Sequence, residues 1–134
     1  MSRTDIKVRG FHLDIYSHVN NARYLEFLEE GRWAFFEEQD VTRLVHERGL
    51  AFVLVNININ YRRPAHNGET LSIFTRISAL GNKSCKVTQE IYLKDTDTLI
   101  ADAVISFCLM NLKTNQAAEM DADIRAQLAA LVAE

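Results

Sequence analysis

The sequence predicts an α+β domain in which an antiparallel sheet of about five strands wraps around one long central helix. Residues 21–39 carry apolar side chains at helical spacing, with further aromatics off the main stripe. After Gly49 the period changes to two and stays there, in segments, through residue 112. An apolar sheet face and an apolar helix cannot both stay bare, and a sheet curled around the helix buries both.

In chain order, residues 4–13 alternate Ile6, Val8 and Gly10 against Lys7 and Arg9, which predicts a strand. Residues 14–21 hold Asp, Ser and two Asn and predict a loop. In the helix that follows, Tyr24, Phe27, Leu28, Gly31 and Phe35 form one stripe, and Trp33 and Phe36 lie off it. A short helix is expected from 41 to about 47, ending at Gly49 as a C′ residue. Val53, Val55, Ile57, Ile59 and Tyr61 then alternate with Leu54, Asn56, Asn58, Asn60 and Arg62, the pattern of a strand with one buried face. Pro64 and Asn67-Gly68 mark a turn.

Residues 71–77 predict the next strand, and Gly81-Asn82 the next turn. A strand over 85–93 places Cys85, Val87, Ile91 and Leu93 on one face, and 95–97 turns again. Residues 99–112 are apolar on nearly both faces and predict a central, doubly covered strand. From Asp121, a fair N-cap, the stripe Ile124, Leu128 and Leu131 predicts a terminal helix. An edge strand of such a sheet is free to pair with a second copy, which predicts a dimer.

The bulk properties exclude several function classes. A length of 134 residues fits one domain, 1–134. A net charge of −3 argues against nucleic acid as the main partner, because phosphate binding usually shows as a basic excess. Cys85 and Cys108 sit in strand-like apolar runs with no metal-ligand spacing, as reduced core thiols do. The start, MSRTDIKV, has no apolar h-region, and no run reaches the length of a membrane span, so a cytoplasmic protein without membrane insertion is expected.

Chemistry is suggested where the loop Asp14-Ile15-Tyr16-Ser17-His18-Val19-Asn20-Asn21 enters the helix. The first helical N–H groups have no intrahelical partner and carry the positive end of the helix dipole, so they can hold a developing oxyanion. A carboxylate beside them can activate water or attack a carbonyl. Together these parts describe acyl transfer to water. The same residues also describe an ordinary helix cap. His12, Asp14 and His18 could pass for a metal cluster, although metal sites usually gather three or four ligands with supporting partners. No GxSxG elbow is present.

The spaced set Asp14, His18, Val19, Asn20, Asn21, Tyr24 and Glu29 resembles the signature of the 4-hydroxybenzoyl-CoA thioesterase family of hotdog-fold proteins. The segments VRGFHLD, HVNNARYLEFLEEGRW and AFVLVNININYRRPA resemble, more narrowly, bacterial long-chain acyl-CoA thioesterases of fatty-acid degradation, and the similarity runs over essentially the whole chain. The resemblance implies a hotdog fold, no metal and no cofactor. It implies Asp14 as the catalytic carboxylate, the backbone N–H near Asn21 as the oxyanion donor and His18 as a supporting residue; Glu29, at the last position of the motif, either orients a water or is simply solvated or salt-bridged. Ser17 stands where family members commonly have Gly. Arg62, Arg63, Lys83 and Ser84 are candidates for the phosphates of coenzyme A, because guanidinium and ammonium groups suit them, and surface solvation is their rival reading. Tyr24 is a candidate substrate contact. The substrate implied is a medium- to long-chain fatty acyl-CoA, and the assembly implied is a homodimer or homotetramer with its site between subunits. The alternatives are a thioesterase for aromatic acyl-CoA or for acyl carrier protein, a hydratase on the same fold, and a non-catalytic acyl-CoA binder.

Overall fold

A computed structural model describes residues 1–132. The order is β1 (Ser2–Lys7), a 3-10 turn (Gly10–His12), α1 (Asn21–Gln39), α2 (Val41–Glu47), β2 (Leu50–Tyr61), β3 (Thr70–Leu80), β4 (Ser84–Leu93), β5 (Leu99–Asn111), the two-residue β6 (Gln116–Ala117) and α3 (Ala122–Val132). The strands form one sheet in the order β1-β3-β4-β5-β2, with β6 on the end of β5. Every pairing is antiparallel.

α1 begins where Asn20 caps it, its side chain accepting the Ala22 N–H at 2.9 Å. It ends at Asp40, in the left-handed conformation (φ 57°). The stripe Tyr24, Phe27, Leu28, Gly31 and Phe35 is buried, as its spacing predicts, against Leu71, Ile73 and Ile77 of β3, Val87 and Ile91 of β4 and Ala103 and Ile105 of β5. At Gly31 the helix backbone lies directly on the sheet. A Cβ there would stand 2.8 Å from Ile73 Cγ2 and 3.1 Å from Gln89 Nε2. α2 stops as expected, with Gly49 at φ 70°. α3 buries Ile124, Leu128 and Leu131. Its first turn is fixed by Asp121, which accepts the Ile124 N–H and pairs with Arg48.

Four expectations are corrected. The first strand stops at Lys7, because the chain turns into the 3-10 segment and Gly10 lies in that turn. β2 does not keep one alternation. A bulge between Leu54 and Asn56 shifts its register against β5, so that Phe52 and Leu54 pair with Leu109 and Phe107 while Ile57 and Ile59 pair with Ile105 and Ala103. Val53 and Ile57 therefore face opposite sides. β5 is not doubly covered. It lies second from the edge, and β4 holds the centre. One face of β5 buries Ala101, Ala103, Ile105 and Leu109, whereas Val104 on the other is exposed. Trp33 is not wrapped within the chain, being 59% exposed.

A buried polar cluster ties α1 to the sheet. Gln89, fully buried on β4, donates through Nε2 to Leu28 O (2.9 Å) and Thr75 Oγ1 (2.9 Å), and its Oε1 accepts from Arg32 Nη1 (3.1 Å). In the sequence Gln89 interrupts the apolar face of its strand without any local signal of its role.

Candidate active site

The loop ahead of α1 is built around Asp14. Its Oδ1 accepts the N–H of Tyr16 (2.8 Å) and, more weakly, of His18 (3.4 Å), and its own N–H donates to His18 O (2.9 Å). These bonds make an Asx-type turn that folds residues 14–18 back on themselves. The turn needs a left-handed residue, and Ser17 takes that place at φ 62°. This explains why glycine suits the position. Val19 N–H donates to Ala65 O (3.0 Å) and Asn20 N–H to His12 O (2.8 Å), so both flanks of the loop are anchored.

The consequence is directional. Asp14 Oδ1 is engaged by the turn, and Oδ2 has no hydrogen bond among the described residues. At the helix entry, Ala22 N–H is taken by the Asn20 side chain and Arg23 N–H by Asn20 O. Asn21 N–H is the first-turn donor left without a partner among the described residues. Asp14, His18, Asn21, Tyr24, Tyr61, Arg62 and Arg63 line one cleft of about 380 Å³. The residue with an unengaged carboxylate oxygen and the residue with an unpartnered N–H at the positive end of a helix thus line one cleft, and these are the two parts that acyl transfer to water uses.

The profile of the Thioesterase-like superfamily matches residues 8–128. The chain belongs to that superfamily. Over 130 residues it is 47% identical to the long-chain acyl-CoA thioesterase FadM of Escherichia coli (strain K12), covering 97% of this chain and 98% of FadM. The crystal structure of YbaW, a probable thioesterase from Escherichia coli, matches with a TM-score of 0.92 at 46% identity, covering 98% of this chain and 99% of that one. The fold alone is shared with Slr0204, a 1,4-dihydroxy-2-naphthoyl-CoA thioesterase from Synechocystis, at TM-score 0.83 and 18% identity, covering 97% and 96%. The curled sheet around a long helix is the hotdog fold of these thioesterase-like proteins.

Within this superfamily member the remaining candidates divide. Arg62 and Arg63 reach the cleft, but each already holds a carboxylate: Arg62 Nε meets Asp102 Oδ2 at 2.9 Å and Arg63 Nη2 meets Glu69 Oε2 at 3.1 Å. The Arg62 hydrogen bond holds the Asp102 carboxyl below its usual range. Burial works to raise Glu69, but Arg63 and the His66 N–H outweigh it and keep Glu69 low. Tyr24 lines the cleft and braces the loop after Pro64. It is buried, its Oη accepts the Ala65 N–H at 3.1 Å, and burial pushes its hydroxyl pKa up.

Glu29 does not join Asp14 within the chain, standing eight residues along α1, about 12 Å from Asn21, at another cavity. Lys83 and Ser84 lie at the opposite end of the sheet. Ser84 registers with Cys108 and Tyr61 with Ala101, seven residues apart on β5, or about 23 Å. His18 stacks edge-on against His66, with centroids 5.2 Å apart. Among the described residues, no three His, Cys, Asp or Glu side chains converge as a metal site.

Three contributors have no sequence signal beyond their neighbours. Tyr61 donates from Oη to Asn21 O (3.2 Å) and packs on Tyr24. His66 and Glu69 brace Arg63 and the loop after Pro64. His12 is a fourth support. It is buried against Phe27, and its Nδ1 accepts the Arg9 N–H at 2.9 Å, which requires the neutral ring. Burial, followed by the charge of Arg23, lowers its pKa from 6.5. A lowered histidine pKa stabilises the fold above the unfolded value, and that stability drains as pH falls through 6.5 toward the folded value. Stability should therefore fall below about pH 6.5 by up to about 1.4 kcal/mol per pH unit. In His12→Asn, which keeps an acceptor without a titrating ring, melting curves between pH 7.5 and 5.5 should be nearly flat by comparison.

Proposed function

We propose that this chain hydrolyses long-chain fatty acyl-CoA to free fatty acid and coenzyme A. The observation that carries the reading is that Asp14, with its open Oδ2, and Asn21, with its open N–H, line the same cleft. The 47% identity to FadM, a long-chain acyl-CoA thioesterase, supports the substrate class. The thioester carbonyl oxygen lies on the Asn21 N–H, which stabilises the negative charge developing on it. Asp14 Oδ2 either takes a proton from the attacking water or adds to the carbonyl as a mixed anhydride that water then opens. The thiolate leaves readily, so the protein's main work is to polarise the carbonyl and position the attacking group. His18 supports the turn that aims Asp14. Arg62 and Arg63 hold the nucleotide end of coenzyme A by exchanging part of their contact with Asp102 and Glu69 for phosphate.

The site is completed by a second copy. β2 is a twelve-residue edge strand with Val53 (43%), Leu54 (39%) and Val55 (61%) exposed, a surface that invites strand addition. Antiparallel β2 pairing about a two-fold axis sets opposite ends of the two strands side by side. It carries Lys83 and Ser84 of the second copy toward the cleft end of the first. Val53→Lys combined with Val55→Lys should halve the mass in sedimentation and remove turnover. A full-mass species would overturn the pairing.

The direct test is thiol release from acyl-CoAs of increasing chain length. Turnover rising toward long saturated chains is expected. Saturable acyl-CoA binding with no thiol released would make the protein a binder, and an optimum at aromatic acyl groups would move the substrate class.

A further inference from the structure

Asn21 is held differently from its neighbours at the helix entry. Those neighbours are fixed by bonds made close by in the chain. Asn20 N–H donates to His12 O (2.8 Å), Ala22 N–H to Asn20 Oδ1 (2.9 Å) and Arg23 N–H to Asn20 O (2.9 Å). Among the described residues, one side chain reaches Asn21 from outside α1. Tyr61, 40 positions away, donates from Oη to Asn21 O at 3.2 Å. Tyr61 forms the last register pair of β2, opposite Ala101 on β5. Directly after it, the N–H groups of Arg62 and Arg63 both donate to Ile100 O, at 2.8 and 3.1 Å. The strand end that carries the hydroxyl is thus tied to the sheet. The ring is placed by Tyr24, with centroids 5.3 Å apart, and Tyr24 is itself buried and bonded to Ala65 N–H. Tyr61 and Asn21 both line the Asp14 cleft.

The first residue of a helix frays more readily than the interior, and fraying at Asn21 swings its N–H. A donor stabilises an oxyanion best when it is aimed before the charge develops, and a hydrogen bond weakens steeply once its angle falls below about 120°. We propose that Tyr61 is a positioning residue for the hydrolysis, pinning the Asn21 carbonyl to the end of β2 so that the Asn21 N–H stays aimed at the thioester carbonyl. This role rests on the hydrolase reading of the cleft. It differs from that of a second oxyanion donor. Carbonyls in a helix point toward its C-terminus and N–H groups toward its N-terminus, so Tyr61 Oη and the thioester oxygen lie on opposite sides of Asn21. The O–H···O separation is longer than the usual range of about 2.5–3.0 Å, so the bond is a weak one. Its loss changes alignment more than folding.

Tyr61→Phe keeps the ring on Tyr24 and removes only the hydroxyl. It should fold like the wild type by circular dichroism, as expected at a position 48% exposed. Its kcat should fall about two- to tenfold, the size of one net hydrogen bond, with KM for dodecanoyl-CoA unchanged. The decisive readout needs no turnover. The ketone analogue of dodecanoyl-CoA, with a methylene in place of the sulfur, keeps the carbonyl but has no thiolate to lose. Its infrared carbonyl stretch reports how strongly the site polarises that bond. Binding to the wild type should lower the frequency, and binding to Tyr61→Phe should lower it less, at equal affinity. No lowering in the wild type would overturn the oxyanion donor of the hydrolase reading and the role of Tyr61 with it. Equal lowering in both proteins, or an affinity that falls in Tyr61→Phe while the frequency holds, would overturn the role of Tyr61 alone.

Discussion

Asp14→Asn should lower kcat for acyl-CoA hydrolysis by about 10²–10⁴-fold, the usual contribution of a positioned acid or base, while leaving the melting temperature nearly unchanged. The geometry gives the reason for both halves. Asn keeps an Oδ1 that can accept the Tyr16 N–H at 2.8 Å, so the turn survives. The open Oδ2 becomes an amide nitrogen, which can neither take a proton from water nor attack a carbonyl. The Asn21 N–H and the cleft remain, so residual rate above that in solution is expected from carbonyl polarisation and binding alone. The check is steady-state thiol release with matched circular dichroism. A folded variant that keeps wild-type turnover would show that the reacting carboxylate lies elsewhere. Glu29 would be next to test.

Gln89→Leu should cost about 3 kcal/mol in urea unfolding with little change in m, the second large effect expected. The side chain is fully buried and bridges Leu28 O, Thr75 Oγ1 and Arg32 Nη1. Leucine restores the volume but strands a buried guanidinium, and removing one partner of a buried charged group is among the costliest single changes. Gln116→Leu, at an exposed position in β6, should stay within about 0.5 kcal/mol. A Gln89→Leu cost no larger than that control would mean that water reaches Arg32 and replaces the amide.

What was legible without coordinates follows a physical boundary. The long helix could be read because its stripe, from Tyr24 to Phe35, and its cap at Asn20 are signals within a few residues of one another. The turns at 67–68 and 81–82, and the left-handed Gly49, were equally local. Asp14 and Asn21 could be named because they are neighbours along one loop, and their motif resembles a known family. The bulge in β2 was not legible. Its sequence alternates without a break, and the extra residue is defined only against the register of β5. Nor was the centre of the sheet. Apolar residues on both faces of β5 suggested a core strand, whereas the order β1-β3-β4-β5-β2 puts it beside the edge, with Val104 on its outer face exposed.

The candidate site divides in the same way. By itself the sequence determined the helix, the strands, and the carboxylate next to a helix N-terminus, because hydrophobic period and capping act over one or two turns of chain. Only the tertiary structure decided which Asp14 oxygen is open, that Arg62 and Arg63 arrive already paired with Asp102 and Glu69, that Lys83 lies at the far end of the sheet, and that Arg32 is buried with Gln89 as its hydrogen-bond partner. Most of these depend on strand register and on contacts between residues as much as 57 positions apart. Such pairings are chosen by the packing of the whole core, so no window of the sequence contains them.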